Sequence, residues 1–177
     1  MSYPRGSIAE MATKYPQGYE FVGVEVGVHD GNHADTMIDF LKFKKLYLVD
    51  PWLSYSENCY GWDQATWDGI YDIVVGKYKD KGYIDILRLT SVDAAAKLKD
   101  EQLDFVYIDG NHKYKYVCLD LQHWFPLIKD GGWLLGHDWT YPEVVQAVTE
   151  FAAAHNLVVV ESGNGTEWWM QKVASNG

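Results

Sequence analysis

Cysteine, proline and positive charge are scarce in this 177-residue chain, which has two cysteines, five prolines and 15 Lys+Arg against 25 Asp+Glu, a formal balance of −10. Neither Cys59 nor Cys118 stands in a CxxC or Cys/His spacing. That argues against zinc binding or dithiol chemistry and points to a reducing, cytoplasmic setting. The shortage of basic residues counts against a partner held mainly through phosphates, because such binding uses Lys and Arg to release counterions. Nucleic acid and anionic membranes are therefore not expected as partners. Long apolar runs are also missing. Leu157 to Val160 is far short of a membrane span, and no apolar leader core follows Met1, so a soluble, unexported protein is expected.

Aromatic rings are what the chain has in excess: 8 Trp, 13 Tyr and 6 Phe, or 27 of 177 residues. With 47% hydrophobic and 23% charged residues, the length suits one domain, 1–177, that buries roughly two thirds of its unfolded surface. No repeat, low-complexity tract or linker divides it.

Apolar runs of strand length alternate with helical stretches. Phe21 to Val26, Lys45 to Val49, Ile84 to Leu89, Leu103 to Ile108, Trp133 to Gly136, Leu157 to Val160 and Glu167 to Val173 read as strands. Helices are expected over Ala34 to Phe43, Ile70 to Tyr78, from Ser91 as N-cap through Leu98, from Tyr114 to Ile128 with a last turn disturbed by Pro126, and over Glu143 to His155. Asp50 to about Gly69 reads as loop. Strands apolar along their length and separated by helices imply a largely parallel sheet covered on both faces. The Gly163-Asn164-Gly165 turn permits a hairpin and so an antiparallel last strand. The expected fold is α/β, a Rossmann-like three-layer α/β/α sandwich around a seven-stranded, mostly parallel sheet.

In such sheets ligands bind beyond the carboxyl ends of the strands. The polar clusters fall there: Gly27-Val28-His29-Asp30-Gly31-Asn32-His33 after the first strand, Asp50 after the second, Asp109-Gly110-Asn111-His112 after the fourth and His137-Asp138 after the fifth. A single loop histidine is more often solvated than functional, and a turn aspartate more often bonds its own backbone. Four of the six histidines on one rim make a functional site the better reading. The first loop lacks G-x-G-x-x-G, since His29 and Asn32 stand where glycines are needed, and this counts against a nicotinamide-dependent oxidoreductase. Glu25-x-Gly27-x-x-x-Gly31 remains, and it lets the backbone turn tightly under a ligand. Asp50 is placed to accept hydrogen bonds from ribose hydroxyls.

These residues resemble the class I S-adenosylmethionine-dependent methyltransferases. Glu25-Val26-Gly27-Val28-His29-Asp30-Gly31 is similar to their first motif. The stretch from Leu103 through Ile108-Asp109-Gly110-Asn111-His112 to Gly131-Gly132-Trp133-Leu134-Leu135-Gly136-His137-Asp138 is similar to the "FIDGDH…GG…GHD" pattern of the macrocin O-methyltransferase-like group, methyltransferase family 24. The resemblance covers residues 20–140 and departs at Asn111, where the family commonly has Asp. It implies S-adenosylmethionine (SAM) bound by Glu25, Gly27, His29, Gly31, Asp50, Trp52, Ser91 and Asp109, with Trp52 against the adenine and Ser91 and Val92 at its edge. It implies Asp109, His112 and His137 as catalytic residues. Asp109 and Asp138 would be the ligands of a candidate Mg²⁺, although His137 stands where a second acid often occurs.

The expected activity is O-methylation of a small-molecule hydroxyl on a sugar or phenol. A non-catalytic SAM-binding module is the alternative, with the oxidoreductase behind it. The segment 52–71 carries Trp52, Tyr55, Tyr60, Trp62, Trp67 and Tyr71 with no Lys or Arg. It reads either as an aromatic lid on an acceptor pocket or as a helical layer packed on the sheet. The oligomeric state, a homo-oligomer included, is left open.

Overall fold

Successive side chains of the strands point to opposite faces of the sheet, and both faces are covered by helices. The computed structural model describes residues 5–54, 61–163 and 165–173. Its strands are β1 (Glu20–Val26), β2 (Lys42–Val49), β3 (Ile84–Leu87), β4 (Leu103–Ile108), β5 (Ile128–Gly136), β6 (Val160–Glu161) and β7 (Trp168–Gln171). They form one sheet in the order β3-β2-β1-β4-β5-β7-β6. β1 to β5 run parallel, and β7 lies antiparallel to both β5 and β6. The seven-stranded, mostly parallel sandwich with an antiparallel last strand is thus the observed fold.

On one face Val24, Val26, Val106 and Leu134 pack against α4 (Ser91–Lys97), α5 (Tyr114–Trp124) and α6 (Pro142–Ala154). The opposite face, carrying Phe105, Tyr107, Leu46 and Leu48, is covered by α1 (Gly6–Ala12), α2 (Asn32–Phe40) and α3 (Gln64–Tyr78). Such two-residue alternation is what a sheet buried on both faces requires of its side chains. No described helix is long and apolar enough to cross a membrane.

Several boundaries differ from the sequence expectation. α2 ends at Phe40, because Phe43 is needed in β2, where it pairs with Phe21 and stacks on Tyr83. α3 begins at Gln64, well inside the expected loop, because the Asp63 carboxylate accepts the Thr66 amide as an N-cap. Thr90, not Ser91, caps α4 by accepting the Asp93 amide. α5 stops at Trp124 and gives way to a 3-10 turn through Pro126, the disturbance expected there. β5 starts five residues early, at Ile128, which pairs with Leu103. β3, β6 and β7 are shorter than expected, and Leu157 to Val159 lie outside β6. α1 had no counterpart in the sequence reading. Its Ile8 and Met11 are fully buried against the sheet.

Candidate active site

The carboxyl ends of β1, β2, β4 and β5 carry the residues expected at the rim, and the backbone there is unusual. Three of the four described non-glycine residues with φ in the left-handed region are His29 (53°), Trp52 (41°) and Asp138 (62°). Non-glycine residues are held in that region only where their surroundings demand it. The first loop is built around two glycines. A Cβ on Gly27 would come within 2.1 Å of the Asp109 carbonyl oxygen, and Gly31 turns at φ 80° beneath the Tyr78 hydroxyl. The loop therefore lies directly against the end of β4.

Asp50 fastens this loop. Its Oδ2 accepts the His29 amide at 3.0 Å and its Oδ1 the Trp52 amide at 2.8 Å. Burial raises its carboxyl, and the bonds from the loop amides oppose that rise. Trp52 is fully buried and donates its indole N–H to the His29 carbonyl at 2.8 Å. It therefore supports the loop from beneath and turns no ring face to the rim. The Ser91 hydroxyl accepts the Trp124 indole N–H at 2.8 Å, a tie between α4 and α5.

Of the aromatic segment, Tyr55 and Tyr60 lie outside the described residues. Trp67 is buried in the sheet-facing core of α3, with Tyr71 tilted against Trp52. The packed-layer alternative thus describes Trp52 and Trp67. Trp62 lies against both His29 and Trp67, with ring centroids 5.5 and 5.2 Å away.

On the acceptor side two imidazoles converge on one carboxylate. His112 Nε2 meets Asp138 Oδ2 at 2.6 Å, and His137 Nδ1 lies 3.1 Å from Asp138 Oδ1 and 3.7 Å from Asp109 Oδ1. Burial alone would raise the Asp138 carboxyl, but the hydrogen bonds from His112 and His137 outweigh it and hold the group well below the usual carboxylate range. The same bond to Asp138 raises the His112 imidazole against the opposing effect of burial. Donor atoms of Asp109, His137 and Asp138 lie within 4.8 Å of one another.

A second polar group, missed by the sequence reading, lies beneath α1 and α2. Arg5 Nη1 donates to the Tyr107 hydroxyl and to Asp109 Oδ2, both at 2.7 Å. Glu167 accepts the Gly6 amide at 2.8 Å and the Ser7 hydroxyl at 2.6 Å, which fixes the start of α1. The available signal was Glu167 and Tyr107, polar groups at strand positions where the apolar period places core residues.

Glu25 is fully buried and pairs with His33 Nδ1 at 2.9 Å, leaving its Oε2 and the His33 Nε2 without partners among the described residues. Burial, with Asp109 adding to it, holds the Glu25 carboxyl well above its ordinary value near 4.5, and burial lowers His33 to about 3. Above pH 4.5 the folded chain thus keeps a proton that the unfolded chain has released, so this group's contribution to stability falls as pH rises toward its folded value. Glu25→Gln removes that exchange. The variant is expected to melt at or above the parent temperature at neutral pH, with the advantage gone below pH 4.5. A variant melting far below the parent at neutral pH would contradict a protonated Glu25.

A family model described as a methyltransferase domain, methyltransferase family 24, matches residues 24–139. No curated protein matches the chain in sequence. Among solved structures, an rRNA methylase from Streptococcus thermophilus superposes with a TM-score of 0.67 at 12% identity, covering 95% of each chain. The O-methyltransferase NovP gives 0.61 at 13% identity, over 95% of this chain and 80% of that one. Aeropyrum pernix fibrillarin, solved with natively bound S-adenosyl-L-methionine, gives 0.61 at 14%, over 96% and 75%. At these identities the likeness is one of fold.

Proposed function

Because the chain belongs to the methyltransferase-domain family whose model spans residues 24–139, it is a SAM-dependent methyltransferase, and we propose that it methylates a hydroxyl of a small-molecule acceptor. The observation that carries this reading is the pair of imidazoles on Asp138, set beside Asp109 and the Gly27 loop at one end of the sheet.

The residues present fit the cofactor. Gly27 and Gly31 form a cradle that a side chain would fill, and the buried Glu25 Oε2 is an unpartnered acceptor behind it. Gly27, His29 and Gly31 would hold the amino-acid end with Asp109, and Asp50 the ribose. Bound there, SAM supplies an electrophilic methyl group. The chain's own tasks are then to orient the acceptor and take its proton. His112 can do the latter: with Nε2–H donated to Asp138, its Nδ1 carries the lone pair, and it has no partner among the described residues. Asp138 fixes that tautomer and stabilises the imidazolium that forms. His137, on the other oxygen of Asp138, lies where it can orient the acceptor.

Mg²⁺ does not suit this donor set. It favours a shell of oxygens, whereas here one of three ligands is an imidazole, Asp109 already faces the Arg5 guanidinium, and both Asp138 oxygens face histidines. No step is routed through a metal.

The net charge of −10 favours a small molecule over RNA, whose phosphates call for a basic surface. Calorimetry should detect S-adenosylhomocysteine (SAH) and SAM but not NAD, and an acceptor screen should find hydroxyl methylation at the same rate with and without EDTA. Binding without turnover on any hydroxyl acceptor would favour the non-catalytic module. Loss of turnover in EDTA would restore the metal.

A further inference from the structure

The amino-acid end of SAM is a zwitterion, and the acidic rim described above provides for only half of it. Asp50, Asp109 and Asp138 all lie at this end of the sheet and would repel a carboxylate. Nearby basic side chains are engaged elsewhere: Lys77 with Asp35, Arg88 with Asp68, and Lys113 with Glu143. Arg5 pairs with a rim carboxylate itself, that of Asp109.

Arg5 reaches it in a fixed pose. Its side chain lies 5.3 Å above the Tyr107 ring, while Gly6 and Ser7, the next two residues, are bonded to the buried Glu167. Both of its bonds leave from Nη1. The Nε and Nη2 donors have no acceptor among the described residues, and the side chain is 29% exposed. A guanidinium holds its donors in a planar fork, and the Nε/Nη2 edge matches the two oxygens of a carboxylate. Asp109 pairs with the other edge, and its carbonyl is what a Cβ on Gly27 would strike. Positive and negative groups therefore stand side by side next to the glycine loop.

We propose that Arg5 is a cofactor-binding residue whose Nε/Nη2 edge takes the α-carboxylate of SAM, with Asp109 beside it taking the ammonium. This assignment rests on the methyltransferase reading above and adds a residue outside the matched segment 24–139. It makes α1 part of the binding site, since α1 and Glu167 hold the fork in place before the ligand arrives.

The test is calorimetry on the full chain with four ligands: SAM, decarboxylated SAM, SAH, and 5′-methylthioadenosine, which lacks the whole amino-acid end. In the parent, SAM should bind about 10–100-fold more tightly than decarboxylated SAM, from which it differs only by the carboxylate, the range expected for a charge-assisted pair. Arg5→Met should lose a similar factor for SAH while methylthioadenosine binding stays within about twofold; Arg5→Lys, which keeps the charge but not the fork, should fall between. An equal loss for SAH and methylthioadenosine would overturn the proposal by marking Arg5 as purely structural. So would unchanged SAH binding in Arg5→Met. If Arg5→Met does not fold, the parent still decides, because equal affinity for SAM and decarboxylated SAM overturns the assignment. A parent that binds none of the four would instead bring down the methyltransferase reading on which it rests.

Discussion

His112→Ala is expected to lower kcat by about 10²–10⁴-fold, the usual contribution of a positioned general base, while SAH affinity stays near that of the parent. The ring touches Asp138 and lies tilted against Tyr141 with centroids 4.7 Å apart, and it takes no part in the Gly27 cradle. Its loss should therefore be felt in the chemical step and not in cofactor binding. The pH profile provides a second readout. A base must be deprotonated to act, and the Asp138 bond raises His112 above its ordinary value near 6.5. The acid limb of kcat/KM should accordingly lie above pH 6.5. Asp138→Asn removes the cause, so in that variant the limb should move down while kcat falls. The same pair contributes to stability with a definite sign. The raised His112 makes its contribution below pH 6.5 and loses it as pH climbs through the folded value, whereas the depressed Asp138 loses its contribution as pH falls below about 3.8. A His112→Ala variant with kcat within threefold of the parent would move the base to His137.

Gly27→Ala should be the most damaging single-methyl change in the rim. The added Cβ would meet the Asp109 carbonyl oxygen at 2.1 Å, its carbon at 2.4 Å and the Gly110 nitrogen at 2.7 Å. All three are backbone atoms, so no side-chain rotation relieves the overlap. Gly27 also sits at φ 88°, a conformation that costs a residue with a Cβ. The expected loss is about 3 kcal/mol, which in a chain of this length lowers Tm by roughly 6–12 °C. SAH binding should disappear in the fraction that remains folded, because the strands bearing Gly27 and Asp109 must separate where the cofactor lies. Gly82→Ala is the control, with nothing within 4 Å of its Cβ, and should melt close to the parent. Equal melting of the two variants would refute the close approach of loop and strand.

Much of this site was readable in the chain. Asp109, His137 and Asp138 follow apolar runs that could only be buried strands, and a parallel sheet brings the carboxyl ends of such strands to one edge. Gly27 and Gly31 were readable for the same reason, since turns that leave a strand for a helix need residues free of a Cβ. Trp52 and Ser91 were not readable in the same way. Both lie at the right end of the sheet, but side-chain direction there depends on the local backbone: Trp52 turns inward at φ 41°, and Ser91 faces Trp124. α1 escaped notice because seven residues with two core contacts leave almost no periodic signal.

By itself the sequence determined the order of strands and helices from β1 onward, the antiparallel end, and which loops hold polar groups, because hydrophobic period and turn chemistry are local properties. The tertiary structure alone decided that Arg5 reaches Asp109, 104 positions away, while Glu167 holds the two residues that follow Arg5, and that two histidines share Asp138. Those contacts join residues from distant elements, and only the packing of α1 and the sheet order set their distances.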